Sequence, residues 1–145
     1  MSAFDLDSFM SQPAEAGTTS ISPIPEGEYL AIIDDVKPRV VNTKNGEAMA
    51  LDVFCLLQDE ALKKTLGRET LTVKAGFFLD MNGSKLDMSP GKNTRLNRLR
   101  EALGQNAAGW TPSKLKGAGP VKVKVSQRVD NDVIYNDIKS FGKAK

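Results

Sequence analysis

The order of hydrophobic patterns predicts a mainly β domain, a five-stranded Greek-key barrel with one helix between strands three and four. Three observations carry this reading. A helical period persists in one stretch, Lys92 to Gly104, where Leu96, Leu99 and Leu103 fall at i, i+3 and i+7. Three stretches before it and two after it are β-prone or alternate apolar and polar residues. Asn45-Gly46, a pair that tolerates positive φ, supplies a strong hairpin signal between the first two strands.

Strand one is expected from about Glu28 to Val41, introduced by Pro25-Glu26-Gly27 and carrying Tyr29-Leu30-Ala31-Ile32-Ile33. Pro38 marks a bulge or the strand's exit to a sheet edge. A loop from Pro38 to Gly46 then carries Arg39 and Lys44. Strand two, about Glu47 to Leu57, puts Met49, Leu51, Val53, Cys55 and Leu57 on one face, which reads as interior. Phe54 falls on the other face, with Ala48, Ala50, Asp52 and Leu56. Gln58 to Arg68 is a polar connection with a helical turn near Glu60 to Lys64. Strand three, about Glu69 to Leu79, points Leu71, Val73, Ala75 and Phe77 inward and Lys74, Gly76 and Phe78 outward.

A Gly- and Pro-bearing loop, Asp80 to Lys92, leads to the helix. Asn93 is expected to cap it through its side-chain oxygen, and Gly104 to end it in a left-handed conformation. Arg95, Arg98 and Arg100 spread around more than one helical face and read as solvated. Thr111-Pro112 suits the start of a single turn, and Trp110 before it is expected to plug the core. Strand four, Pro120 to Val129, alternates Val121, Val123 and Val125 with Lys122, Lys124, Ser126 and Arg128. A tight turn at Asp130-Asn131-Asp132 leads to strand five, Val133 to Phe141. The order strand-strand-strand-helix-strand-strand is that of the OB-fold.

Composition narrows the function. The 145 residues suffice for one domain with a core, and no apolar run approaches the roughly 18 residues a membrane span needs. The N-terminus lacks the basic and apolar regions of a secretory signal. A single cysteine, Cys55, excludes an internal disulfide and suits a reducing cytoplasm; lying in an apolar run, it reads as a buried structural thiol. The chain has no histidine, so neither the commonest general base nor an imidazole–thiolate zinc cluster is available. No catalytic grouping, metal site or cofactor site is expected. Gly91-Lys92-Asn93-Thr94 fails as a phosphate loop: Leu86 stands where the first glycine belongs, and Asn93 where a magnesium-binding hydroxyl belongs.

Charge is asymmetric. Residues 1–26 carry Asp5, Asp7, Glu15 and Glu26 and no base, a charge of −4. The remainder holds 20 basic against 14 acidic residues, +6, with ten bases between Lys85 and Arg128 facing only Asp87 and Glu101. A basic domain with an acidic arm suggests a polyanionic partner. Residues 1–24 read as a flexible acidic arm, 25–141 as the domain, and 142–145 as a loose basic end. Within the arm, Phe4-Asp5-Leu6-Asp7-Ser8-Phe9-Met10 is an acidic-apolar motif. It reads as an unstructured leader, as a docking peptide using Phe4, Asp5, Leu6, Asp7 and Phe9, or as an arm that competes with nucleic acid for the basic face.

Aromatic and basic residues on β surfaces suit sequence-tolerant binding of single strands, which needs rings for bases and cations for phosphates. In an OB barrel this groove crosses strands two and three between the loops that join strands one to two and four to five. That arrangement would gather Phe54, Lys74 and Phe78 on the sheet, Arg39 and Lys44 on one flank, and Lys122, Lys124, Arg128 and Tyr135 on or near the other. The competing reading packs Phe54 or Phe78 under the helix or in a dimer interface, and leaves Lys122 and Lys124 on an ordinary solvated strand.

The chain resembles small OB-fold single-stranded DNA-binding proteins of bacteriophages. The resemblance rests on Pro25-Glu26-Gly27-Glu28-Tyr29, the Asn45-Gly46 loop, the helix Leu96 to Gly104, Leu115-Lys116-Gly117 before Val121 to Val125, and the closing Tyr135 strand. It spans about residues 25 to 141. It implies binding of single-stranded DNA to protect or organise replication and recombination intermediates in the host cytoplasm, without catalysis. Partner replication or recombination proteins would dock on the arm, and a homo-oligomer stays open. Bacterial single-strand binders commonly end in an acidic tail; here the C-terminus is basic and the acidic motif is N-terminal. The alternative is a phage virion or assembly protein whose arm links neighbouring subunits.

Overall fold

The structure, a computed structural model, describes residues 5–16 and 22–144. Its centre is a five-stranded antiparallel sheet built from very unequal strands. β1 (Gly27–Thr43) and β2 (Gly46–Leu57) form one long hairpin turning through Lys44 and Asn45. Arg39 therefore lies on a strand and not on the expected loop. The hairpin signal at Asn45-Gly46 was stronger than the break at Pro38, which fits the ladder opposite Leu51. Thr43 Oγ1 donates to the Gly46 carbonyl at 2.7 Å and closes the turn.

A short helix α2 (Glu60–Leu66) follows, capped by Asp59, which accepts from the Leu62 N–H at 3.0 Å, and ended by Gly67 in the left-handed region. β3 (Thr72–Phe78) pairs with β2. A two-stranded ribbon, β4 (Met81–Asn82) and β5 (Lys85–Leu86), occupies what the sequence presents as a loop. The helix α3 (Thr94–Ala102) and a 3-10 turn (Pro112–Leu115) precede β6 (Val121–Asp130) and β7 (Val133–Lys143). The strand order is β3-β2-β1-β6-β7. β1 serves both halves: Gly27–Ala31 pairs with β6 and Ala31–Thr43 with β2, and a bulge lies between Ile33 and Asp35.

The core follows the alternation. Leu51, Val53, Cys55 and Leu57 of β2 meet Leu71, Val73, Ala75 and Phe77 at β3, Val121, Val123 and Val125 of β6, and Leu96 and Leu99 of α3. Burial pushes the Cys55 thiol up to about 12, the nearby Arg95 charge opposing it, so the thiol is neutral and sheltered. The core also takes Ile24, which is 1% exposed. Asn136 holds it by accepting from the Ile24 N–H at 2.8 Å and donating to its carbonyl at 2.9 Å, and Gln127 Nε2 donates to the same carbonyl. The ordered domain therefore includes Ile24, which the sequence assigns to the arm; its Pro-flanked surroundings hide that one apolar anchor.

Asn93, just before α3, and Arg95, on its first turn, are structural, against expectation. Asn93 does not cap the helix with its side chain. It is buried and stitches the preceding loop instead: Oδ1 accepts from the Asp80 N–H, and Nδ2 donates to the carbonyls of Asp80 and Asp87, all at 2.9 Å. Arg95 bridges the two edge strands, Nη1 donating to the Gly76 carbonyl of β3 and Nη2 to the Ile138 carbonyl of β7, both at 2.7 Å. Its guanidinium lies 4.6 Å from the Phe77 ring centroid, and Phe77 stacks on Phe141 of β7. Desolvation lowers the Arg95 pKa, with Asp137 opposing, yet it remains a cation. One arginine thus joins edges that no strand ladder joins among the described residues.

One glycine is fixed by contact. A Cβ at Gly119, where φ is +138°, would stand 2.9 Å from the Ala31 carbonyl oxygen of β1. Among the described residues, no helix is long and apolar enough to cross a membrane.

Candidate nucleic-acid interface

Directly opposite residues in an antiparallel ladder share a face, so the pairing of β1, β2 and β3 sets out a surface in rows. Asp35, Phe54 and Lys74 form one row, Lys37, Asp52 and Gly76 the next, and Arg39, Ala50 and Phe78 the third. All nine lie on the side away from the core. Three cations and two rings therefore share one three-stranded face.

The residues on it differ in freedom. Phe78 is 74% exposed. A hollow of about 350 Å³ opens beside it, between β3 and the first turn of α3. Phe54 is half-buried, with the Lys37 ammonium 5.5 Å from its ring centroid. Arg39 Nε donates to Asp52 Oδ2 at 2.9 Å, which shelters the carboxylate, while Asp52 Oδ1 has no hydrogen-bond partner among the described residues. Gly76 leaves a shallow gap between the Phe54 and Phe78 rows. Lys74 makes no ion pair among the described residues. Lys44 stands in the exposed turn at the tip of the same hairpin.

The remaining candidates occupy a second surface. Lys122 and Lys124 face outward from β6, opposite Leu30 and Glu28 of β1. Arg128 and Tyr135 pair across the β6–β7 hairpin. This surface meets the first only across the Gly27–Ala31 half of β1. Two of its cations are engaged: Lys122 Nζ lies 3.7 Å from Glu28, and Arg128 Nε donates to Asp137 at 2.9 Å with Asp130 at 3.8 Å, whereas Lys124 makes no ion pair among the described residues. The hydrogen bond to Asp137 raises the Arg128 pKa. The Arg128 guanidinium also covers the Tyr135 ring, 4.9 Å from its centroid.

Lys37 is the residue the sequence reading missed. It lies two positions before Arg39 and so shares its face; placing a loop at Pro38 concealed that spacing. The arm helix α1 (Leu6–Met10), capped by Asp5, places Asp5, Leu6, Asp7 and Phe9 on an exposed turn, whereas Phe4 lies outside the described residues. Arg98 is solvated as expected, but Arg100 is 5% exposed. Its guanidinium lies 4.4 Å from the Trp110 ring and donates to the Ala107 carbonyl and to Asn97 Oδ1, both at 3.0 Å. Trp110 is half-buried: it packs against the edge of the core and also lines a pocket.

Among the described residues, no cluster of three potential metal ligands is present. No protein-family model matches the chain, and no curated protein matches it in sequence.

Proposed function

We propose that this chain is a single-stranded DNA-binding protein whose five strands form an OB-type Greek-key barrel. The strand order, with β1 shared between the β2–β3 and β6–β7 halves and Arg95 linking the outer edges, supports that architecture. The observation that carries the functional reading is the β1–β3 face, where the exposed Phe78 ring and the sheltered Phe54 ring alternate with Lys37, Arg39 and Lys74. Bases would stack on the rings, each stack worth about 1–3 kcal/mol, and phosphates would run along the cations. Lys37 would leave Phe54 for a phosphate as a base arrives, exchanging a cation–π contact for an ion pair.

The protein binds without catalysis, on phage replication or recombination intermediates. The long β1–β2 hairpin, with Lys44 at its tip, flanks the groove. The β6–β7 surface contributes little while its carboxylates hold Arg128 and Lys122.

The test is fluorescence anisotropy of labelled oligo-dT and a matched duplex at two salt concentrations. Preference for the single strand that weakens with salt supports the reading. Equal affinity for both reduces it to a basic surface meeting a polyanion, and no binding at low salt removes it.

A further inference from the structure

The reverse side of the β1–β2 hairpin holds a second feature. A pocket of about 800 Å³ opens between its inner face, the β4–β5 ribbon and the loop that carries Trp110. Met49, Met81, Leu86, Met88 and Trp110 make it apolar. Its lining includes two cations, Arg100 and Lys85, and no carboxylate. Arg100 is almost fully buried, forms no ion pair among the described residues, and leaves Nε without an acceptor. A buried guanidinium gains from a carboxylate that comes close to it.

The complementary element is in the same chain. α1 presents Leu6, Phe9 and Met10 on one helical face, exposed by 74%, 65% and 81%. Asp5 and Asp7 flank them and no base does. No residue of α1 is buried. Methionine-rich pockets adapt to such apolar side chains. The tether from Met10 to Ile24 can span up to about 45 Å, more than the diameter of a domain this size, roughly 35 Å.

We propose that α1 of one copy docks by Leu6, Phe9 and Met10 in the Trp110 pocket of a second copy, with Asp5 and Asp7 meeting Arg100 and Lys85. The contact is heterologous, pocket on one copy and arm on the next, so it propagates as an open chain and does not close as a pair. Strand alternation sets the pocket and the Phe54–Phe78 face on opposite sides of the same two strands. Linked copies therefore keep that face free. The interface is small and weak in solution, below the roughly 1,200 Å² of stable complexes. Copies held on one strand would gain from effective concentration.

Trp110 is the only tryptophan, so its emission reports the pocket directly. The full-length chain, without DNA, is followed by tryptophan emission and sedimentation velocity over a concentration series. Trp110 emission should move to the blue as the sedimentation coefficient rises. Phe9→Asp, at an exposed arm position, should weaken both by roughly tenfold or more while leaving the melting curve unchanged. Met88→Asp, at the pocket rim beside Arg100, should weaken association from the other side, because its carboxylate takes the guanidinium that Asp5 or Asp7 would meet. An equimolar mixture of the two variants should restore association but stop at dimers, since only one arm–pocket pair is intact. A blue shift that Phe9→Asp abolishes but that is independent of concentration would mean that the arm fills its own pocket, and would overturn the proposal. So would wild-type emission and sedimentation identical to Phe9→Asp throughout. Because DNA is absent, failure here leaves the DNA-binding reading intact, and the reverse also holds.

Discussion

The outer surfaces of β1–β3 and of β6–β7 carry the same residue types, yet they are chemically unlike. On the first, Lys74 is unpaired among the described residues and Phe78 stands in solvent. On the second, Glu28 lies beside Lys122, Asp130 and Asp137 hold Arg128, which in turn lies over Tyr135, and Lys124 is the candidate cation left unpaired among the described residues. A cation already matched to a carboxylate releases little when a phosphate arrives, because one ion pair replaces another. Pairing to carboxylates and ring exposure, more than the count of lysines and arginines, separate the face proposed to bind from the other one.

The largest expected effect comes from Arg95, which ties the edges of the two regions together. Arg95→Met should lower stability by about 2–3 kcal/mol, read as a shift in urea unfolding midpoint, because two charge-assisted bonds to carbonyls are lost. An unchanged midpoint would mean that the edges hold without it. Next is Phe78→Ala, which should weaken single-strand binding by about five- to 150-fold in anisotropy, the equivalent of one stacked base. Its exposure means that melting should not move, so a large stability loss would place the ring in packing and not in binding.

Charge should separate the faces more finely. Lys74→Ala is expected to flatten the dependence of log affinity on log salt by about 0.7, one phosphate contact on a single strand. Lys122→Ala should leave both slope and affinity within about twofold, in line with the small worth of exposed pairs. Equal losses from both substitutions would break the comparison. An effect silent at neutral pH lies behind Phe54, at Cys55. Its folded pKa of about 12 stands above the ordinary 9.0, so its contribution to stability is complete below pH 9 and is lost as pH rises from about 9 to about 12. Cys55→Ala should lack that alkaline decline in denaturant titrations compared at each pH.

Much of this was readable one strand at a time. The alternation of Leu71, Val73, Ala75 and Phe77 and of Val121, Val123 and Val125 named the core directly, because a period of two records which side faces water. The outward positions of Phe54, Lys74 and Phe78 followed from the same period. The reading failed where one residue answers to two neighbours. Asn93 looks like a cap, but its partners Asp80 and Asp87 lie across a loop. Arg95 and Arg100 look solvated on a helical wheel, yet Arg95 is drawn to carbonyls on two separate strands and Arg100 to an indole.

The sequence by itself determined the inventory: a mainly β chain with one principal core helix, an acidic-apolar arm, a basic domain without histidine, and the inward and outward faces of β2, β3 and the first half of β6. These are local properties, set by side-chain period and by composition. Tertiary structure alone decided that Lys37 joins Arg39 beside Phe54, that Arg128 is neutralised, that Ile24 belongs to the core, and that Trp110 with Arg100 lines a pocket. Each depends on how segments pack against one another, across a hairpin for Arg128 and Lys37, across a loop for Arg100 and Trp110, and between distant stretches for Ile24, and that packing arises from the whole set of contacts at once.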